Sequence, residues 1–400
     1  MTQMPLAGVR VVEISSFVAV PLAGMTLAQL GCEVIRVDPI GGAADYRRWP
    51  LAADGTSIYW TGLNKGKRSV AVDPRTPEGQ ELVVRLIVDS GPQGGILITN
   101  VVGRQWHAYD DLVQRRPDLI HLEVSGRADG GTGVDYTVNA GLGFPLVTGS
   151  PTQAGPVNHV LPAWDVACGL YAALAITAAL RHRDATGAGS AIRLPLEDVA
   201  LATAGNLGFL TEPMVNGTQR ERLGNAIYGQ YGQTFVSADG ASFMVVALTG
   251  RHFRDLTELT GSTAAVAALS TALEADFTDE GQRFRHREAL SGLFSLWFAE
   301  HDADEIATGL ARTSVLWERY RSFAETAAGP KVTANPLFAS LDQPGVGRYL
   351  APGLPFSIDG VRAPAVAAPA LGDDTDAVLA ERFGTSAEEV AKLRADGTVA

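Results

Sequence analysis

In the stretch Asn158-His159-Val160-Leu161-Pro162-Ala163-Trp164-Asp165-Val166-Ala167-Cys168-Gly169, one acidic side chain stands at the mouth of a very apolar helical pattern. A carboxylate at Asp165 has two readings. Helix-end amides and the helix dipole stabilise an anion in a first turn, so the group reads as ionised; as an N-cap it contributes about 1 kcal/mol. Partly desolvated and aimed into a cleft, the same carboxylate is a nucleophile able to form a covalent acyl intermediate. Spacing alone leaves both open. A second chemical signal is Asn64-Lys65-Gly66-Lys67-Arg68-Ser69, which gathers three cations around a glycine. Lysine supplies point charge and arginine a bidentate fork, which together suit a phosphate clamp. The other reading is a solvated lysine loop.

Other chemistries lack their residues. The turn after the first strand is Ser15-Ser16-Phe17-Val18-Ala19-Val20-Pro21, with no glycine to let a backbone approach a pyrophosphate, so the dinucleotide fingerprint is missing. No GxxxxGK[ST] loop and no GxSxG elbow occur. The seven histidines (107, 121, 159, 182, 252, 286, 301) show no metal-ligand spacing, and no metal site is expected. Against 32 Lys+Arg stand 44 Asp+Glu, a net charge of −12, which argues against nucleic-acid binding while permitting a small anionic ligand. Only two cysteines, Cys32 and Cys168, are present, which excludes a disulfide scaffold and points to a reducing compartment. The N-terminal residues lack a signal-peptide pattern. The longest nearly apolar run, 166–180, is shorter than the roughly 20 residues a bilayer requires. A cytoplasmic protein with no membrane partner is the expectation.

The elements that must position these residues follow from periodicity. Strands are expected at Val9–Ile14, Glu33–Asp38, Ser69–Asp73, Ile96–Thr99, Leu119–Val124 and Ala191–Leu194. Between and after them lie helical patterns at Pro21–Leu30, Tyr109–Gln114, Asp135–Gly143, Asp165–Arg183 and Pro195–Leu210, and a helix start at Thr76-Pro77-Glu78. Such alternation implies parallel βαβ units in an α/β fold. Beyond Gly217 the texture changes to a hairpin, Tyr231–Val236 and Ser242–Leu248 around Asp239-Gly240. Helical patterns at Arg251–Leu259, Ala264–Leu273, Phe284–Ala299 and Ala303–Ala311 follow it. A Pro-rich stretch then precedes closing helices at Thr375–Phe383 and Ser386–Asp396. The expected organisation is a large α/β domain over 1–215, a small α+β domain over 216–330, and a return over 331–400 that completes the large domain.

Taken in order, the motifs LAGVRVVEIS, Val34-Ile35-Arg36-Val37-Asp38-Pro39, LNKGKRSVAVD, the Trp164-Asp165…Gly169-Leu170-Tyr171-Ala172-Ala173-Leu174 helix, GAGSAIRLPLEDVAL and Arg222-Leu223-Gly224-Asn225 resemble CoA-transferase family III. The resemblance implies a Rossmann-like large domain with a mostly parallel sheet, a smaller α+β domain and an interlocked homodimer. It implies an acyl-CoA substrate with no tightly bound cofactor, coenzyme A entering as part of the substrate. It places the nucleophile on Asp165, a second active-site carboxylate on Asp135, and a covering glycine loop on Gly224 and Asn225. CoA is expected along Phe17, Val18 and Ala19, with phosphates near Arg36, Lys67, Arg68, Asn100 and Arg104.

The family's racemases carry a histidine directly before the Asp135 position; here Val134 stands there and cannot exchange a proton. Transfer is therefore favoured over racemisation. Asp45-Tyr46-Arg47-Arg48-Trp49-Pro50, 133–139 and 157–165 resemble more narrowly the members that move CoA from C1 to C4 within mesaconyl-CoA, a small dicarboxylic acyl-CoA. Arg47, Arg48 and His159 are then candidates for the distal carboxylate. The alternatives are intermolecular transfer to a free acid and a non-catalytic CoA-binding protein of the same fold.

Overall fold

Thr76 shows how local sequence sets an element. Its hydroxyl accepts the Gly79 N–H at 3.1 Å, and Pro77 opens the helix where no amide hydrogen is needed. The computed structural model describes residues 4–400. In chain order the first elements are β1 (Arg10–Ile14), α1 (Ala19–Gln29), β2 (Glu33–Pro39), α2 (Ile58–Leu63), β3 (Arg68–Val72) and α3 (Pro77–Val88). Next come β4 (Ile96–Thr99), α4 (Tyr109–Arg115), β5 (Ile120–Ser125), α5 (Asp135–Ala140) and α6 (Phe144–Val147). Then follow α7 (Ala163–Thr186), β6 (Ser190–Pro195), α8 (Leu196–Asn206) and α9 (Thr211–Asn216).

The first six strands form one parallel sheet in the order β3-β2-β1-β4-β5-β6, the α/β architecture that the alternation of elements predicts. Strand order reverses between β1 and β4, and in open α/β sheets ligands bind outside the carboxyl ends of the strands at such a point. Val12, Ile35, Val70 and Leu97 share a core with Val83 and Ile87 of α3. The chain's end completes that core through Val378 and Leu379 of one late helix and Val390 of another.

Helix α7, with 24 residues and a mean hydropathy of 1.6, is long and apolar enough to cross a membrane by length and composition, which the 15-residue run did not suggest. Its small residues instead pack on α1: Cys168, Gly169, Ala172 and Ala173 are buried, and a Cβ on Gly169 would lie 2.6 Å from the Ala19 carbonyl oxygen. That helix is a core element here.

The chain divides into two compact units, one of residues up to Leu142, His159–Val215 and Pro330–Ala400, the other of Gly143–Asn158 and Asn216–Gly329. The second unit contains β7 (Tyr231–Val236), β8 (Ser242–Ala247), α10 (Gly250–Leu259), α11 (Thr263–Ala272), α12 (Glu280–Arg285), α13 (Arg287–Glu300), α14 (Ala303–Leu310), β9 (Leu316–Arg319) and α15 (Phe323–Ala328). Its three strands are antiparallel, over a core that includes Phe243, Phe294, Phe298 and Leu310. Residues 143–158 join this unit, although the sequence assigns them to the large domain. Arg222 holds them, its guanidinium donating to the carbonyls of Leu146 at 2.9 Å and Gln153 at 2.6 Å. The return supplies α16 (Pro330–Thr333), the hairpin β10 (Phe338–Gln343) and β11 (Gly347–Pro352), then α17 (Thr375–Phe383) and α18 (Ala387–Ala395).

Candidate active site

The loop after β1 is fastened from both sides. Asn100, just past β4, accepts the Ser16 N–H at 3.0 Å and donates back to the Ser16 carbonyl at 2.8 Å. Phe17 sits at φ +65°, a conformation that costs a non-glycine residue roughly 1–2 kcal/mol. Its N–H is donated to Asp45 Oδ2 at 2.9 Å, which helps hold it there.

A buried ionic network engages cations to which the resemblance assigns the phosphates. Arg36 is fully buried, with Nε 2.8 Å from Asp38 Oδ2, Nη2 donating to the Ser15 carbonyl at 3.0 Å, and Glu13 and Asp45 each at 3.4 Å. Lys67 Nζ is equally enclosed by Glu13 Oε1 and Asn64 Oδ1, both at 2.8 Å, and the Pro21 carbonyl at 2.9 Å. Burial pulls its pKa down to about 8, against the opposing pull of Glu13. Arg68 spreads its guanidinium over Glu381 (2.6 Å), Glu33 (3.0 Å) and Asp374 (3.3 Å), tying the return to the edge of the sheet. These three cations are therefore engaged in ion pairs within the fold, and none of them lines the cavities described below. The basic segment is not a solvated loop: besides the nearby Asn64, Lys67 and Arg68 pair with carboxylates at 13, 33, 374 and 381, too far off in sequence to be seen.

Above the loop is a cavity of about 560 Å³ lined by Phe17, Val18, Ala19, Arg48, Asp135 and Asp165, with Asn100 at its edge. Asp165 is the third residue of α7, whose N-cap is Pro162, so the N-cap reading fails. The first amides of the helix are engaged elsewhere. Trp164 and Asp165 donate theirs to Asp135 Oδ2 at 2.7 and 3.1 Å, Ala163 donates to the Leu161 carbonyl and Val166 to that of Pro162. Asp135 is thus a remote cap for α7, and not simply for α5, the helix it opens.

The Asp165 carboxylate makes no hydrogen bond among the described residues. Its pKa is pushed up to about 7, first by burial and then by the negative charge of Asp135, with Arg48 pulling the other way. This reverses the expectation of an anion stabilised by the helix end. Arg48 stands over two aromatic faces, its Cζ 5.6 Å from the Phe17 ring and 5.1 Å from that of Tyr59.

Two of the three candidates for the distal carboxylate lie elsewhere. Arg47 lines a separate cavity with Tyr46, Thr61 and Gln343. His159 places Nε2 2.6 Å from Asp135 Oδ1 and does not line the Asp165 cavity. Arg104 lines a larger cavity of about 840 Å³ with Pro39, Arg75, Gly103 and Trp106; Ser16 borders both spaces. In the second unit, Gly224 (φ +60°) donates its N–H to the Gly149 carbonyl at 3.0 Å, which spends that amide, and Asn225 Nδ2 donates to Thr234 Oγ1 at 3.0 Å. Tyr59, Tyr136, Arg75 and Trp106 were missed as lining residues; only Tyr136, beside Asp135, carried a signal in its neighbour. Among the described residues no group of His, Cys, Asp and Glu could hold a metal ion.

The sequence profile of CoA-transferase family III matches residues 6–375. This chain belongs to CoA-transferase family III. Over 399 residues, 99% of this chain and 98% of the relative, it is 48% identical to a 2-methylfumaryl-CoA isomerase of Chloroflexus aurantiacus. It is 27% identical, over 98% of its length and 97% of the relative's, to a succinyl-CoA–D-citramalate CoA-transferase of the same organism. Among solved structures it is similar to a CAIB/BAIF family protein from Brucella suis, with a TM-score of 0.77, 27% identity, and 95% and 100% of the two chains covered. As a family III CoA-transferase it acts on CoA thioesters, and the crevice at the β1/β4 reversal is where its unbonded carboxylate lies.

Proposed function

We propose that this protein transfers CoA within one molecule, from the C1 to the C4 carboxyl of mesaconyl-CoA (2-methylfumaryl-CoA to 3-methylfumaryl-CoA), with Asp165 as nucleophile. The observation that carries this reading is a carboxylate left without a hydrogen bond in a cavity that also holds one arginine, Arg48. The full-length similarity to a 2-methylfumaryl-CoA isomerase supports the substrate.

An Asp165 oxygen attacks the C1 thioester carbonyl and the C1–S bond breaks, giving a mixed aspartyl–acyl anhydride and CoA thiolate. The thiolate attacks the aspartyl carbonyl, which frees the C1 carboxylate and leaves an aspartyl-CoA thioester. After the diacid turns over in place, its C4 carboxylate attacks that thioester, forming a second anhydride and releasing thiolate again. Thiolate then attacks the C4 carbonyl and restores free Asp165. Acyl activation is conserved at each step, so no nucleotide hydrolysis is needed.

Arg48 suits the carboxylate not being attacked, since its fork can bind both oxygens. Phe17, Val18 and Ala19 suit the pantetheine arm. Arg75 and Arg104, on the larger cavity that Ser16 borders, replace Arg36, Lys67 and Arg68 as phosphate ligands in this reading. A homodimer is part of it, supported by an apolar stripe on α7 at Leu170, Tyr171 and Leu174, each at least half exposed.

Incubating the pure protein with mesaconyl-C1-CoA and resolving the C1 and C4 isomers by chromatography tests the reaction. Hydroxylamine or borohydride should label Asp165 during turnover, and isotopically labelled free mesaconate should stay out of the product. Labelling at another residue, or full activity of Asp165→Ala, overturns the mechanism. Entry of label into product would make the enzyme an intermolecular transferase.

A further inference from the structure

We infer that His159 is a positioning residue that works through Asp135 to keep the Asp165 carboxylate uncapped and reactive. This rests on the reading of Asp165 as nucleophile. The geometry is a relay of three hydrogen-bonded contacts centred on Asp135. His159 Nε2 meets Asp135 Oδ1 at 2.6 Å, and Asp135 Oδ2 receives the N–H groups of Trp164 and Asp165. Asp135 is 1% exposed, so its carboxylate cannot exchange these partners for bulk water.

The imidazole is itself held in place. The Tyr136 ring lies edge-on at 5.8 Å and the Trp164 ring tilted at 6.2 Å, while Tyr136 Oη donates to the Val160 carbonyl at 3.1 Å. Trp164 Nε1 donates to Asn139 Oδ1 at 3.1 Å, fixing the other side of the box.

The chemical consequence follows from where the amides point. A carboxylate in the first turn of a long helix ordinarily gains stabilisation from free helix-end N–H groups. An anion so stabilised is a poorer nucleophile. Here Asp135 takes those donors, and its negative charge opposes the ionisation of Asp165. His159 keeps Asp135 turned toward the helix and partners its second oxygen. Without that partner, a buried oxygen is left unpaired and the carboxylate gains a reason to rotate. The other titratable or charged groups around Asp165 are Arg48 from the loop after β2, Tyr59 of α2, Tyr136 of α5 and Cys168 one turn along α7. None of them takes the Asp165 N–H, which goes to Asp135.

Three variants of the full-length protein test the relay: His159→Leu, His159→Gln and Asp135→Asn. His159→Leu should lower kcat by ~10- to 100-fold with KM little changed, the scale expected when a reacting group is misplaced. His159→Gln, whose amide can still donate to Asp135, should recover most of that loss. Asp135→Asn keeps an oxygen to cap α7 but removes the charge, so the acid limb of kcat/KM should move to lower pH by about one unit.

A purely structural role predicts instead that all three lose activity in step with thermal stability and leave the acid limb in place; that result overturns the inference. So does His159→Leu with kcat within about twofold of the parent. Hydroxylamine trapping separates the two levels. No label on Asp165 in the parent enzyme removes the nucleophile itself. Label on Asp165 together with an unaffected His159→Leu variant removes only the relay.

Discussion

Asp165 carries a cost that its surroundings do not offset, and that cost is measurable. Its folded-state pKa stands near 7, raised from the ordinary 3.8 by burial and by Asp135. Below about pH 4 the group is neutral in both folded and unfolded chains. As pH rises from about 4 to 7 the folded chain holds the proton that the unfolded one has lost, so stability falls across that window, and the whole penalty persists above 7. Asp165→Asn should therefore be more stable than the parent at pH 8, by on the order of 2 kcal/mol once the cavity's access to solvent is allowed for. The gap should be smaller at about pH 5.5. Urea unfolding of both proteins at the two pH values checks this; a variant no more stable at pH 8 would mean the carboxylate is solvated. At this scale the sequence singled out Asp165 but did not show its state. Its surroundings depend on Asp135, 30 positions away, taking the amides that Asp165 would otherwise use. The cations at 36, 67 and 68 are equally illegible in part: beside near neighbours such as Asp38 and Asn64, they bond Glu13 and Glu381, which lie 23 to 313 positions off.

At the scale of elements, α7 and α1 must touch closely for the site to exist. Gly169 makes that possible. A methyl group there would meet the Ala19 carbonyl at 2.6 Å and the Leu22 side chain at 3.1 Å, and Ala19 is the first residue of α1, next to the loop that lines the cavity. Alanine is the better helix former by roughly 1 kcal/mol, so intrinsic propensity favours Gly169→Ala. Overpacking costs typically 1–3 kcal/mol and should win, because the nearest atom is backbone and cannot swing aside. The expected outcome is a lower urea midpoint together with a fall in kcat, since the shift separates Asp165, one turn earlier, from Phe17 and Val18. A stabilised, fully active variant would show that the helices have slack. Elements with strong periodicity were legible: β4 runs over the expected Ile96–Thr99, and α17 over the expected Thr375–Phe383. The run expected at Phe284–Ala299 is instead α12 and α13, which meet at His286. Strand β9, with four residues, and the β10–β11 hairpin were not read; the first is too short for alternation to register, and the second is split by Pro344-Gly345 and small residues.

For the molecule as a whole, the large sheet is closed by the last stretch of chain. Val399 bridges to Val72, Thr375 Oγ1 accepts the Ala71 N–H at 3.2 Å, and Asp374 accepts that of Ser69 at 2.9 Å. Even so, one face of α7 remains uncovered. Leu170, Tyr171 and Leu174 are 52%, 51% and 60% exposed, and they recur at helical spacing on one side of a helix whose other side is core. Single exposed apolar residues are ordinary, but three of them at helical spacing on one face of a long helix suit a surface that meets another protein. The homodimer proposed above would cover it, at a distance in sequence of only five residues from Asp165. The double variant Leu170→Asp/Leu174→Asp should then sediment at half the parent's mass while keeping its helical circular dichroism, because the substituted side chains leave the α1–α7 contact untouched. A variant that keeps the parent's mass would place the subunit contact on another face of the molecule.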